Sequence, residues 1–405
     1  MNLKIYAKTI EQSAVDQVKL LLAQEAFKNS KVRIMPDAHA GAGCVIGFTA
    51  NLGDKVIPNV VGVDIGCGVL CVELGKVEID FAKLDWIIRE YIPSGLNVHK
   101  TRLEFGHGEF TANLPYKLRE LKCYNELRNI DWLENSLGTL GGGNHFIEID
   151  EDSEGNKYLL IHTGSRNLGK QVCEIYQDKA TKHCSYEKEM KERIDECIAT
   201  CKRLGNTKII GEQIQTIKAA YKDKLKLPKD LCYIEGQDRE DYLHDMNICQ
   251  EFANENRMDI ALIIMGWYFG ESGFPYFQCV HNYINFKDNI VRKGSISAYK
   301  GERLLIPLNM RDGVIIGVGK GNEDWNYSAP HGGGRIMSRM EAKKKLQLDD
   351  FKDSMKGIYT TSVCEETIDE APMVYKAPQE IIDAIQENVE IEKIIKPIYN
   401  FKASE

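Results

Sequence analysis

The sequence lacks a long apolar run, and this absence is the first constraint on its function. No stretch of about 18 uninterrupted apolar residues occurs in the 405-residue chain, whereas a membrane-spanning helix needs about 20. The N-terminal residues also turn polar too early to form the apolar core of a secretory signal. We therefore expect a globular protein of the cytoplasm with no membrane contact.

An excess of positive charge is also missing. Lys and Arg together number 52 against 60 Asp and Glu, which gives a formal net charge of −8. A protein that coats nucleic acid through bulk charge needs the opposite balance. The composition therefore argues against a general nucleic-acid coat, but it permits an enzyme that binds a strand end in one local basic site.

A disulfide framework is not expected either, although the chain has twelve cysteines. In a long chain without an export signal, most cysteines are small buried hydrophobic residues, and an occasional one binds a metal. Only Cys67 lies in a sequence that suggests such a further role.

Internal repeats, low-complexity segments and a convincing linker are absent, so we predict one compact α+β domain over residues 1–405. Helical periodicity predicts helices at 12–27, 81–91, 379–386 and from His331 to 346, and a charged helical excursion over about 171–257. Short β-type runs bounded by Gly, Pro or Asp predict strands at 44–50, 60–63, 69–74, 158–161, 304–306, 314–318 and 391–399.

Histidines in glycine-rich loops are the features that suggest chemistry. Five of the nine histidines have such surroundings: His39, His145, His162, His281 and His331. Glycine lets the backbone approach a ligand closely and exposes N–H groups to phosphate. A histidine beside such a loop can bind a metal or act as a nucleophile.

These histidines belong to six short blocks. In chain order the blocks are Met35-Pro-Asp-Ala-His39-Ala-Gly-Ala-Gly43, Val63-Asp64-Ile-Gly-Cys67-Gly68, Gly138-Thr-Leu-Gly-Gly-Gly143-Asn144-His145-Phe-Ile-Glu148, His162-Thr-Gly-Ser-Arg166-Asn-Leu-Gly169, Val280-His281-Asn282 and His331-Gly-Gly-Gly334-Arg335-Ile-Met-Ser338-Arg339.

The second block suggests a metal site. Asp64 and Cys67 are three residues apart on a glycine-rich turn, so a carboxylate and a thiolate can face the same side. With three histidines they would serve two adjacent divalent ions bridged by the thiolate, and ligand softness alone favours zinc. A structural metal site or a buried polar network is the alternative interpretation of the same residues.

Taken together, the six blocks resemble the RtcB family of RNA ligases, in family order from about Val32 to Ala342. The resemblance implies two manganese ions instead of zinc, and GTP as cofactor. It also implies RNA substrates with a 2′,3′-cyclic phosphate or 3′-phosphate at one end and a 5′-hydroxyl at the other. The expected activity is ligation in RNA repair or tRNA splicing, through a guanylylated histidine and an RNA-3′-pp-5′-G intermediate.

Individual positions can be carried over from this resemblance. His331 matches the histidine that takes GMP, and Asp37 matches the carboxylate that orients it. The implied metal ligands are Asp64, Cys67, His145, His162 and His281. The implied nucleotide contacts, besides His331, are Asn144, Glu148, Asn309, Tyr375 and Lys402. The implied cations for substrate phosphate are Arg166, Lys293 and Arg339.

One loop departs from the family pattern. Asn309 and Val314 replace serines that are expected to contact the guanylate, and Arg311 and Asp312 add charge there. This departure favours an alternative function, a metal-dependent cyclic phosphodiesterase that no longer ligates. A non-catalytic RNA-end binding protein is a third hypothesis.

We interpret the charged excursion as solvated helices. Some of its cations could nevertheless contact an RNA backbone: Lys182, Lys191, Arg193, Lys202 and Arg203.

Overall fold

The computed structural model describes residues 2–41, 43–104, 106, 108–222 and 224–403. The elements are mixed helices and strands, which confirms the predicted α+β class. The strands are β1 Asn2–Ile5, β2 Lys31–His39, β3 Ile46–Asn51, β4 Gly68–Gly75, β5 Phe146–Glu151, β6 Lys157–Thr163, β7 Tyr276–Val280, β8 Asn282–Asn285, β9 Ile290–Lys293, β10 Ser295–Ser297, β11 Arg303–Asn309, β12 Gly313–Gly319, β13 Ser328–Pro330, β14 Tyr359–Thr360 and β15 Val389–Phe401.

The helices vary widely in length. They are α1 Gln12–Leu22, α2 Pro58–Val61, α3 Phe81–Tyr91, α4 Glu109–Ala112, α5 Leu114–Arg119, α6 Ile130–Asn135, α7 Arg166–His183, α8 Glu187–Arg203, α9 Ile210–Tyr221, α10 Gly236–Ile264, α11 Arg339–Lys345, α12 Leu348–Ser354 and α13 Pro378–Ala384. Short 3-10 turns cover Glu25–Phe27, Tyr124–Glu126, Thr207–Ile209, Lys229–Leu231, Glu323–Trp325, Glu365–Glu370 and Pro372–Val374, and a π-helical turn at Met265–Phe269 follows α10.

The larger sheet has the strand order β11-β12-β15-β5-β6-β4-β7, with β14 also paired to β15. The long strand β15 pairs with β12 through its first half and with β5 through its second half. Each face of this sheet packs on its own apolar cluster, because alternate residues point to opposite faces. Phe146 and Leu160 belong to one cluster, and Ile147 and Ile161 belong to the other. Burial on both faces fixes the register of the central strands.

A second sheet has the order β1-β2-β3-β9-β8. It packs on a third apolar cluster that includes buried residues of α1, α7 and α10. Asp37 lies near the end of β2 in this sheet, and the short β10-β13 pair ends at Pro330, one residue before His331. The second sheet therefore carries Asp37, and the separate two-stranded β10-β13 sheet leads directly into His331.

Two predicted elements are wrong. Residues 60–63 are not a strand, because Pro58 begins the short helix α2 and Gly62, with φ of +106°, follows its end. Proline is well suited to the first turn of a helix, and here it outweighs the strand preference of the two valines. The helix expected from His331 is confined to α11, because Gly334 has φ of +71° and the N-cap Ser338 accepts the Glu341 N–H.

The other predicted elements are confirmed, within the usual uncertainty of element ends. The helix predicted at 12–27 ends at Leu22 and is followed by a separate 3-10 turn. The charged excursion predicted over about 171–257 comprises α7, α8, α9 and most of α10, and α8 packs on α9. Most side chains of α8 and α9 are exposed or half-buried, which fits the solvated-helix interpretation. For α7 and α10 that interpretation is wrong, because both helices bury many side chains in the third apolar cluster. Among the described residues, no helix combines the length and apolarity that crossing a bilayer requires.

Candidate active site

Four strands of the larger sheet bring the predicted metal ligands to one edge. Cys67 directly precedes β4 and His145 directly precedes β5, whereas His162 lies near the end of β6 and His281 directly follows β7. These strands are antiparallel neighbours in the order β5-β6-β4-β7, so starts and ends alternate along the same edge. The register places His162 opposite both Phe146 and Val69.

The ligand atoms form two groups that share one thiol. Sγ of Cys67 lies 3.4 Å from Nε2 of His162 and 3.6 Å from Nε2 of His145. Nε2 of His162 lies 3.4 Å from Nε2 of His281, and Nε2 of His145 lies 3.0 Å from Oδ2 of Asp64. Cys67, His162 and His281 form one candidate metal site, and Asp64, Cys67 and His145 form the other.

The imidazole rings are oriented as metal ligands require. Nδ1 of His145 lies 2.9 Å from the Leu140 carbonyl, and Nδ1 of His162 lies 3.1 Å from the Asn144 carbonyl. A carbonyl partner makes Nδ1 the protonated nitrogen, which leaves the Nε2 lone pair for a cation. Burial, reinforced by neighbouring histidines, also lowers the pKa of His162 and His281, so both rings are neutral. The donor set therefore fits two cations bridged by a thiolate.

Arg257 is a buried residue of the site to which the sequence assigned no role. Its Nη1 donates to the carbonyls of Gly66 and Thr163, each at 2.9 Å, and these residues are the chain neighbours of Cys67 and His162. The guanidinium is fully buried. Because Arg257 lies in the long polar helix α10, sequence alone does not distinguish it from a surface cation.

His331 lies beside the metal ligands and is held by Asp37. Nδ1 of His331 is 2.6 Å from Oδ2 of Asp37, and the same oxygen accepts the backbone N–H groups of His331 and Gly332 at 3.1 and 3.2 Å. The ring centroids of His331 and His281 are 4.9 Å apart. A side chain at Gly334 would meet the Asp37 backbone at 2.6 Å, so this close approach requires glycine.

A cavity of about 670 Å³ opens over these residues. That volume suits a small-molecule ligand such as a nucleotide. The predicted metal ligands His162 and His281 line one part of the cavity, together with His331. Other predicted residues that line it are Asn144, Glu148, Asn309, Arg339, Tyr375 and Lys402.

The far end of the cavity contains a network around Glu370. Its carboxylate accepts hydrogen bonds from Arg335, Tyr375 and Lys402, and it also pairs with Arg339. Although burial opposes ionisation, Lys402, Arg339 and Arg335 together lower the pKa of Glu370 to about 2. Arg335 belongs to the sixth block and Glu370 lies outside the six blocks, and the sequence assigned neither residue a function.

Glu148 forms part of the same cavity. It is buried, and its Oε1 accepts a hydrogen bond of 2.5 Å from Nδ2 of Asn400 on the neighbouring strand. Burial raises the pKa of Glu148 to about 7, although Lys402 and the Asn400 hydrogen bond oppose this shift. Glu148 therefore changes protonation near neutral pH.

Two predicted phosphate cations lie outside the cavity lining. Nζ of Lys293 donates to the Asn59 carbonyl at 2.5 Å. Arg166 donates to Oγ1 of Thr139 at 3.0 Å and to the Gly95 carbonyl at 2.8 Å. Of the three predicted cations, Arg339 is the one in the lining among the described residues.

The loop that departs from the family pattern is held by its own hydrogen bonds. The Asn309 amide donates to Asp312, and its carbonyl oxygen accepts the backbone N–H groups of Arg311 and Asp312. Val314 is buried in the apolar cluster beside Ile395. Asn309 therefore lines the cavity with an amide that already has partners, and Val314 contributes to the core.

Comparison with known proteins identifies relatives along nearly the whole chain. A family model described as tRNA-splicing ligase RtcB matches residues 20–403. The RNA-splicing ligase RtcB of Escherichia coli (strain K12) is 29% identical over 426 aligned positions, which cover 96% of this chain and 94% of the relative. The tRNA-splicing ligase RtcB of Archaeoglobus fulgidus is 26% identical over 464 positions, covering 93% and 88%.

Proposed function

The chain belongs to the RtcB family, and from this membership we propose that it is an RNA ligase that joins a 3′-phosphate or 2′,3′-cyclic phosphate end to a 5′-hydroxyl end with GTP. The observation that carries the proposal is one cavity with three features. It holds a carboxylate-oriented histidine, a metal-ligand cluster beside that histidine, and a buried set of polar side chains suited to a nucleotide.

His331 is the proposed nucleophile. Because Asp37 holds Nδ1, the free lone pair is on Nε2, which attacks the α-phosphorus of GTP. A nitrogen–phosphorus bond forms, the bond to the β-phosphate oxygen breaks, and pyrophosphate leaves. An oxygen of the RNA 3′-phosphate then takes the GMP, which frees the histidine and gives the RNA-3′-pp-5′-G end. Finally the 5′-hydroxyl oxygen attacks the activated 3′-phosphate, and GMP leaves.

Asp64, Cys67, His145, His162 and His281 are the proposed ligands of two divalent cations. When bound there, manganese would neutralise phosphate charge during nucleotidyl transfer. The donor set supports two cations that share a thiolate, and manganese in preference to zinc is the expectation that follows from the family resemblance.

The nucleotide is proposed to occupy the part of the cavity around Asn144, Glu148, Tyr375 and Lys402. A tyrosine ring offers a face on which a base can stack, and the neighbouring carboxylate and ammonium offer an acceptor and a donor for base edges. Arg339, which also lines the cavity, is the best-placed cation for RNA phosphate. Contacts from Arg166 and Lys293 to phosphate would require these side chains to exchange their present carbonyl partners, Gly95 and Asn59.

A second candidate function is hydrolysis of cyclic phosphate without ligation. The observation that favours it is the loop in which Asn309 is engaged by Asp312 and Val314 is buried. This arrangement removes two side-chain contacts that the family resemblance implies for the guanylate, while the metal ligands are retained. Such an enzyme would open cyclic phosphates with no dependence on GTP.

The experiment that separates the two functions uses a 3′-phosphate RNA and a 5′-hydroxyl RNA, with and without GTP, in the presence of manganese. Joined product that appears only with GTP supports the ligase. Opening of a 2′,3′-cyclic phosphate end at the same rate with or without GTP, and no joined product, supports the phosphodiesterase. A Cys67→Ala variant should be inactive in either case, because it lacks the shared thiol.

A further inference from the structure

Glu370 is a single buried carboxylate that contacts four groups of the candidate nucleotide pocket. Its Oε2 accepts a hydrogen bond of 2.6 Å from the Tyr375 hydroxyl and lies 3.2 Å from Nζ of Lys402. Its Oε1 lies 3.1 Å from Nη1 of Arg335 and 2.9 Å from Nη1 of Arg339. Only 2% of the side chain is exposed.

The contact with Tyr375 fixes both the edge and one face of its ring. Glu370 holds the hydroxyl, and the guanidinium of Arg335, which Glu370 also holds, lies 5.5 Å from the ring centroid. The ring lines the cavity. With one face covered by Arg335, the opposite face is the one that a planar base can use.

The contact with Lys402 fixes an otherwise flexible ammonium. Within the described part of the chain, Nζ has one acceptor besides Glu370, which is the Asn144 carbonyl at 3.3 Å. An ammonium has three donors, so one remains for a ligand. A buried lysine also needs a nearby anion to remain charged, and Glu370 is the carboxylate that lies within salt-bridge distance of Nζ among the described residues.

We infer that Glu370 is a positioning residue that sets Lys402 and Tyr375 for nucleotide binding. This inference rests on the proposed function, because it assigns the cavity to a nucleotide. Glu370 acts through the two side chains it holds and is not itself assigned a contact with the reacting atoms.

The neighbouring Asp369 provides a matched control. It is also buried and pairs with Arg339 at 2.6 Å and with Lys343 at 3.6 Å. Among the described residues, its carboxylate forms no hydrogen bond or ion pair with Tyr375 or Lys402. Asp369→Asn therefore removes a carboxylate of similar burial from the same cation cluster but leaves the two proposed nucleotide contacts in place.

The test measures transfer of GMP to the full-length protein as a function of GTP concentration. In Glu370→Gln the amide cannot accept from Arg335 or Arg339 and hold Lys402 at the same time. We expect the GTP KM to rise by about 10- to 100-fold, the range for loss of a charged hydrogen bond, with a smaller change in the maximal rate. Asp369→Asn should change the KM by less than about threefold, because it leaves both nucleotide contacts unaltered.

A double-mutant cycle shows whether Glu370 acts through Lys402. We expect Glu370→Gln combined with Lys402→Met to raise the KM by less than the product of the two single effects, because both variants remove the interaction with Lys402. Fully additive effects, or equal KM changes in Glu370→Gln and Asp369→Asn, would overturn the inference. A Glu370→Gln protein that does not fold is replaced in the same comparison by Glu370→Asp, which keeps the charge.

The result for the wild-type protein separates a failure of the proposed function from a failure of the positioning role of Glu370. If wild-type protein accepts no GMP, the proposed function fails before any variant is compared. If it accepts GMP with an unchanged KM in both Glu370 variants, the proposed function stands and the positioning role of Glu370 is wrong.

Discussion

Nδ1 of His331 lies 2.6 Å from Oδ2 of Asp37, whose carboxylate is fully buried. The same oxygen also accepts the backbone N–H groups of His331 and Gly332. Three donors on one oxygen fix the ring, its protonated nitrogen and its backbone together. Asp37 lies in β2, whereas His331 directly follows β13, and the two residues are 294 positions apart. This arrangement gives a histidine whose second nitrogen is free to react.

The first prediction concerns this orientation. Asp37→Asn should reduce the initial rate of GMP transfer to the protein by about 10²- to 10⁴-fold, because an amide no longer enforces the Nδ1-protonated tautomer. The rate is measured by incorporation of labelled GMP at saturating GTP. Asp16→Asn, which alters an exposed carboxylate bonded to Gln12, is the control and should not change the rate. A wild-type rate in Asp37→Asn would contradict the orienting role.

The second prediction concerns the shared thiol. We expect wild-type protein to bind two manganese ions per chain, because two ligand groups meet at Cys67. His281→Ala and Asp64→Ala should each lose one ion, whereas Cys67→Ala should weaken both sites. Titration calorimetry and metal analysis after dialysis measure the stoichiometry. One ion in the wild type, or two ions in Cys67→Ala, would show that the thiol does not bridge.

A glycine next to one ligand gives a third prediction. A Cβ atom added at Gly164 would lie 2.2 Å from Oδ1 of Asp64. Gly164→Ala should therefore displace this carboxylate and weaken the Asp64 site by about 10- to 100-fold, the range seen when metal ligands are misplaced. The His281 site should keep its ion. Gly211→Ala, in α9 where an added Cβ would meet no atom within 4 Å, is the folding control. Equal metal affinity in Gly164→Ala and wild type would rule out the steric argument.

The fourth prediction is a pH dependence of base binding. The pKa of Glu148 is raised to about 7 by burial, and a guanine edge presents N–H donors that favour the ionised carboxylate. Guanosine affinity should therefore fall as pH decreases through about 7, approaching tenfold per pH unit well below it. Guanosine itself does not ionise between pH 6 and 8 and is titrated into the metal-free His331→Ala protein. If Glu148→Gln in the His331→Ala protein leaves the pH dependence of guanosine affinity unchanged, a group other than Glu148 causes that dependence.

The candidate site residues could be proposed from the sequence because their histidines lie in glycine-rich blocks that resemble the RtcB family. In the structure the four proposed ligands Cys67, His145, His162 and His281 lie at the ends of neighbouring antiparallel strands, and such strand ends meet at one edge. The sequence predicted the strand at 69–74, which begins shortly after Cys67, and the strand at 158–161, which ends just before His162. It could not show that β5, β6, β4 and β7 are adjacent, because strand order depends on long-range pairing.

The errors also have physical causes. At 60–63, three valines indicated a strand, but Pro58 before them and Gly62 among them made one helical turn the better fit. Lys293 and Arg166 were carried over from the family resemblance, and in the structure both donate to backbone carbonyls outside the cavity lining, because position in the sequence does not determine which way a long side chain points. Arg257 and Glu370 were missed because a buried charge has the same sequence signal as an exposed one.

The most direct test of the account is transfer of label from α-³²P-GTP to the purified protein, with manganese, magnesium or zinc, beside a His331→Ala variant. The account predicts an acid-labile label that requires manganese, is absent in His331→Ala and is released when 3′-phosphate RNA is added. The absence of label in wild-type protein with GTP under all three metals would contradict it and leave the cyclic phosphodiesterase as the better explanation of the site.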